Sequence, residues 1–220
     1  MSDNESDERE SVIGRKDYWD SLYNDELNNF NDFGDEGEVW FGKTILKKLI
    51  DTICDIVQNK NFNICDIGTG NGHVINRLAK QGYQKLTGID YSESAIELAK
   101  SQNVNYAHLT HFQVCDMVDP STFPSSEFDV CIDKGTFDAI LLSKENKDKS
   151  RQTYIQVLYE HLKSNGLFFI VSCNWTKNEL IEFFLDKFTL EKQIDTPTMS
   201  FGGKQGNTVT FLVFRKAEHI

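Results

Sequence analysis

Asn63-Ile64-Cys65-Asp66-Ile67-Gly68-Thr69-Gly70-Asn71-Gly72 is a short apolar run that meets an acid and then three alternating glycines. Ile64, Cys65 and Ile67 suit a strand covered on both faces. The glycines let the backbone turn tightly and approach a ligand with no Cβ in the way. Val74, Ile75, Leu78 and Ala79 then recur at helical spacing, so the first amides of that helix point back at the turn. Strand, glycine turn and helix together predict a ligand site at the carboxyl end of the strand.

A dinucleotide fingerprint counted from Gly68 calls for a third small residue where His73 stands. Asp66 would also repel a diphosphate placed beside it, whereas it would attract an ammonium or a sulfonium. The D-x-G-x-G-x-G spacing instead resembles the first motif of the seven-β-strand methyltransferases. That resemblance implies S-adenosylmethionine as cofactor, with Asp66, Gly68, Gly70 and Asn71 among the residues that bind it.

The rest of the chain alternates. Apolar periodicity predicts helices over 16–30, 43–57, 93–102, 154–162 and 180–184, and strands over 85–89, 112–115, 128–132, 167–173, 188–194 and 208–216. This is the βαβ order of an α/β fold with a mostly parallel sheet and helices on both faces. The last two strands have no helix between them and are joined by a loop containing proline and glycine. An antiparallel final strand beside the sixth would make a Rossmann-like, seven-stranded class I methyltransferase sheet. Residues 1–13 read as a disordered acidic tail, and 14–220 as a single domain with an N-terminal helical cap.

Composition narrows the function classes. The 220 residues suit one domain. No apolar run spans a bilayer, and no secretory leader is recognisable, so no membrane role is expected. Cys54, Cys65, Cys115, Cys131 and Cys173 are odd in number, never at C-x-x-C spacing, and read as buried thiols in a reducing, cytoplasmic setting rather than as zinc ligands. The formal net charge of −11 argues against nucleic acid and suits a basic protein surface as partner. His108 and His111 have no third ligand at a recognisable spacing, so no metal is expected. The chain is expected to act as a monomer.

Asp90 ends the second strand about twenty residues beyond the glycines, where a carboxylate accepts hydrogen bonds from ribose hydroxyls. Tyr91 follows it. Asp116 and Met117 close the third strand and suit an adenine amino group and ring. Asp133 closes the fourth strand, where acceptor chemistry belongs, and no N/D-P-P-Y/F segment stands there to grip a base. Tyr18, Trp19, Trp40 and Trp175 offer aromatic enclosure for an amine.

Beyond the glycine motif, Tyr18-Trp19, Gly37-Glu38-Val39-Trp40-Phe41-Gly42, Asp133-Lys134-Gly135-Thr136-Phe137-Asp138-Ala139-Ile140, Ser172-Cys173-Asn174-Trp175-Thr176 and Ser200-Phe201-Gly202-Gly203 resemble the lysine methyltransferases of translation elongation factor 1-alpha, the elongation factor methyltransferase 2 group. The resemblance covers nearly everything after the acidic tail. It implies cofactor contacts from Trp40, the glycine loop, Asp90, Tyr91, Asp116, Met117 and Asp133, and acceptor-side roles for Asp133, Asn174 and Trp175. It also implies a lysine of elongation factor 1-alpha as substrate. On the residues alone, a small-molecule methyltransferase, a noncatalytic S-adenosylmethionine-binding scaffold and an NAD-dependent oxidoreductase stay open.

Overall fold

A computed structural model describes residues 12–143, 146–201, 204–207 and 209–218. After a 3-10 turn at Val12–Gly14 come α1 (Lys16–Phe33), α2 (Gly42–Ile56), β1 (Asn63–Ile67), α3 (His73–Lys80), β2 (Lys85–Asp90), α4 (Glu93–Gln102) and β3 (Thr110–Val114). The second half contains β4 (Phe128–Lys134), α5 (Thr136–Leu142), α6 (Lys147–His161), β5 (Leu162–Ser172), α7 (Lys177–Phe184), β6 (Phe188–Ile194), β7 (Thr198–Phe201), β8 (Lys204–Asn207) and β9 (Thr210–Lys216).

Seven strands form one sheet in the order β3-β2-β1-β4-β5-β9-β6, and β7 pairs with β8 as a separate hairpin. Pairing is parallel from β3 through β5, while β9 runs antiparallel to both β5 and β6. The expected antiparallel final strand is therefore present, inserted between the fifth and sixth.

Alternation along β1 and β4 builds two cores. Ile64, Val130 and Ile132 pack under α2 and α3, with Leu49, Ile53, Ile75 and Leu78. Cys65, Ile67 and Cys131 face the other way, against Phe137 of α5, Tyr154 and Leu158 of α6, and Leu180 and Phe184 of α7. Helices thus cover both faces, as the two-sided apolarity of β1 requires. Helix α7 starts with a capping box in which the Thr176 hydroxyl and the Glu179 side chain each bond the other's backbone amide.

Four expectations are corrected. Helix α5 was not foreseen: Gly135, at φ +93, turns the chain so abruptly that strand and helix read as one run. Helix α6 starts at Lys147 rather than Tyr154, because its first turn is exposed or only half-buried and shows no apolar stripe. The acidic tail was expected to reach Ile13, but Val12–Gly14 is ordered: the Ile13 carbonyl accepts from Trp19 Nε1 at 2.7 Å, and Gly14 packs on the backbone of Leu142. Residues 1–11 lie outside the described residues, as do Gly202 and Gly203. Finally, Cys65, Cys115 and Cys131 are buried, but Cys173 is exposed. Among the described residues no helix is long and apolar enough to cross a membrane.

Candidate active site

The carboxyl ends of β1, β2 and β4 open into a cavity of about 260 Å³, where an open α/β sheet places its ligands. The glycine loop is its floor. Gly68 has φ +64, a conformation costly to any residue with a Cβ, and a Cβ there would fall 1.9 Å from Thr136 Oγ1. Thr136 in turn donates to the Ile67 carbonyl at 2.8 Å, tying the loop to the start of α5. Above Gly70 stands the Tyr23 hydroxyl.

Asp90 lines the cavity at the end of β2. One carboxylate oxygen accepts from Gly70 N at 2.9 Å and the other from Ser92 N at 3.1 Å. Burial outweighs these bonds and pushes its pKa up to about 6. A carboxylate offers about four acceptor positions, so lone pairs remain for a ligand's hydroxyls. Asp66 is different. Its carboxylate lies beneath the loop, accepts from the Thr69 hydroxyl at 2.8 Å, and is raised to about 7 by burial, which the Thr69 bond and the Lys134 charge only partly offset. It is not among the residues lining the cavity.

Helix α1, the turn before it and the 34–41 loop form the wall. Trp19 stacks on Tyr23 at 6.1 Å and meets Trp40 edge-on at 5.1 Å, and all three line the cavity. Asn71 holds this wall to the floor, donating to the Glu38 carbonyl at 2.9 Å and to Glu26 at 3.4 Å. Tyr91 donates its hydroxyl to the Lys16 carbonyl at 2.6 Å, and Lys16 pairs with Asp116. The other Asp116 oxygen accepts from Val118 N at 3.1 Å, and Met117 lines the cavity beside it.

The acceptor-side expectations fare differently. Asp133 does not reach the cavity. It is fully buried beneath α5, accepting from Thr136 N and Phe137 N at 2.9 Å each and from the Tyr154 hydroxyl at 2.6 Å, and burial raises its pKa to about 7. Those three donors make it the anchor of the start of α5. Asn174 and Trp175 also stand outside the lining. Their amides are held by Ser172 Oγ at 3.2 and 3.0 Å, and Ser172 donates to buried Asp138 at 2.5 Å. The Trp175 ring packs edge-on against Phe183 at 5.1 Å. Tyr18 is likewise absent from the lining, whereas the structure brings in Lys134 and His73, which sequence reasoning had left aside.

The methyltransferase domain family matches residues 58–211. EEF1A lysine methyltransferase 2 of Danio rerio is 43% identical over 215 residues, covering 94% of this chain and 89% of that protein. The chain belongs to the EEF1A lysine methyltransferase 2 family. The Homo sapiens member is 43% identical over 208 residues, covering 94% of this chain and 87% of that protein. Protein-lysine N-methyltransferase EFM4 of Saccharomyces cerevisiae is 36% identical over 219 residues, covering 94% and 95%. Among solved structures, the N-methyltransferase NodS of Bradyrhizobium japonicum, in complex with S-adenosyl-L-homocysteine, superposes with a TM-score of 0.67 at 15% identity, over 91% of this chain and 99% of that one. This likeness places the sheet order of this EEF1A lysine methyltransferase 2 family member within the class I methyltransferase fold.

Proposed function

We propose that this protein is a monomeric, cytoplasmic, S-adenosylmethionine-dependent methyltransferase that modifies a lysine side chain of translation elongation factor 1-alpha. The substrate reading rests on the full-length relatives that carry that name. The chemistry rests on one observation above all: buried Asp90, in the cavity at the end of β2, keeps acceptor capacity beyond its two backbone bonds.

In this reading Asp90 takes the ribose hydroxyls, and Asp116 and Met117 flank the adenine. The glycine loop lets backbone approach the amino-acid end without a side chain intervening. Bound S-adenosylmethionine supplies a methyl group carried on a positively charged sulfur. The protein's own part is to hold the two reactants aligned and to exclude water. An ordinary lysine has a pKa of about 10.4, so roughly one in 2,500 is uncharged at pH 7. The wall formed by Trp19, Tyr23 and Trp40 disfavours the ammonium by withholding water, and its π faces tolerate a methylated ammonium as product.

Incubation with purified elongation factor 1-alpha and S-adenosylmethionine should yield a methylated lysine by mass spectrometry. The apparent KM for the factor should rise with salt while cofactor affinity changes little, because the acidic surface steers a basic partner through charges screened over about 8 Å at physiological ionic strength. Methyl label appearing only in small molecules or RNA would overturn the substrate.

Asp90→Ala should weaken S-adenosylmethionine binding by roughly 1.5–3 kcal/mol in calorimetry, the range for a hydrogen bond to a charged group. The ionised carboxylate is the better acceptor and its pKa in the free protein is about 6, so wild-type affinity should fall as pH drops from 7 to 5. Asp90→Asn should lose most of that pH dependence. Unchanged affinity in Asp90→Ala would remove the ribose assignment.

A further inference from the structure

Three side chains that carry a full positive charge line the cavity: Arg15, Lys16 and Lys134. Arg15 pairs with Asp17, and Lys16 pairs with Asp116. Lys134 makes no ion pair within 4.0 Å among the described residues. Its Nζ donates to the Trp40 carbonyl at 3.4 Å and stands 5.9 Å from the centre of the Phe41 ring. An ammonium has three donors, so two are left over. The charges of Asp66 and Asp133 offset the burial of this cation only in part, so a half-buried ammonium facing a cavity with unused donors is further stabilised by a ligand that brings negative charge.

A second polar group beside it is also unfinished. His73, at the start of α3, lines the cavity, and its Nε2 is buried with no partner among the described residues. His73 and Lys134 line the same cavity, and the charge of Lys134 is felt at His73 and at Asp66 beneath the loop.

Strand order says which end this is. Asp116 follows β3, Asp90 ends β2, the glycine loop follows β1 and Lys134 ends β4, and the strands lie side by side in that order. Asp90 and Lys134 therefore sit two strand spacings apart, roughly 10 Å. A ligand whose ribose is on Asp90 and whose adenine is toward β3 must direct its amino-acid end toward β4.

We infer that Lys134 holds the α-carboxylate of S-adenosylmethionine, with His73 Nε2 completing the polar surround of the same amino-acid end. The inference rests on the cofactor reading above. It assigns the lysine of the D-K-G-T segment to recognition of the cofactor's anionic group rather than to the acceptor.

Calorimetry on the full chain with S-adenosylmethionine and with its decarboxylated analogue, which keeps the ammonium and lacks only the carboxylate, tests it. Wild type should bind S-adenosylmethionine about 10- to 100-fold more tightly than the analogue, the range for a charge-assisted hydrogen bond. Lys134→Met should lose most of that discrimination, binding S-adenosylmethionine more weakly while binding the analogue as well as wild type does. Lys134→Arg should retain part of it, and His73→Phe should weaken S-adenosylmethionine binding. Retained affinity for the analogue shows that the Lys134→Met variant has kept its fold. Equal weakening of both ligands in Lys134→Met, or unchanged binding of S-adenosylmethionine, would overturn the assignment. Wild type that binds neither ligand would overturn the cofactor reading itself, a result distinct from the others.

Discussion

Gly68→Val is expected to lower S-adenosylmethionine affinity more than 100-fold and to cost the fold about 2–4 kcal/mol. Two effects combine. Valine is strained at φ +64, and its Cβ would fall 1.9 Å from Thr136 Oγ1, so either the loop or Thr136 must move. If Thr136 moves, its bond to the Ile67 carbonyl is lost. If the loop moves, Gly70 N leaves Asp90. Gly82→Ala is the control: the backbone there is also left-handed, at φ +88, but nothing lies within 4 Å of a new Cβ and the cavity is elsewhere. It should show a small stability loss and unchanged calorimetric affinity. Wild-type binding in Gly68→Val would mean that the loop is not the floor of the cofactor site.

The second large effect is expected at Asp133. Replacement by Ala strands two backbone amides at the start of α5 and the buried Tyr154 hydroxyl, each a donor that costs roughly 1–3 kcal/mol when left unpaired. A total loss of about 3–5 kcal/mol should lower Tm by roughly 10 °C for a domain of this size. Denaturant melts and S-adenosylmethionine binding should worsen together, because α5 also carries Thr136, Ala139 and Ile140 of the cavity wall. The opposite pattern, a stable variant with normal cofactor affinity and no methyl transfer, would return Asp133 to the acceptor side.

Asp133 also marks where the sequence stops being legible. Strands β1, β2 and β6 and helix α4 were readable nearly to their ends, because their apolar spacing encodes them locally. The carboxyl ends of strands are legible as a place but not as a direction. Asp133 and Lys134 are neighbours on β4, and the period of two sends them to opposite sides: the acid under α5 and the lysine into the cavity. Which of them meets a ligand depends on the turn at Gly135 and on a seven-residue helix whose Phe137, Ile140 and Leu141 follow so closely on the apolar residues of β4 that the two elements read as one run. Trp175 stands outside the cavity lining for a similar reason. Its direction is set by Ser172 and Asp138, far apart in sequence, which fasten the loop that carries it.

Of the 18 residues of α1, only Glu26 and Leu27 are buried. Yet this helix and the turn before it wall a cavity whose floor is the ends of strands covered on both sides. Floor and wall therefore differ in what a substitution costs. Substitutions at the exposed positions of α1 should leave both cores intact, whereas substitutions in β1 or β4 reach side chains buried within them. One helix can therefore reshape the mouth of the cavity without disturbing the sheet that forms its floor.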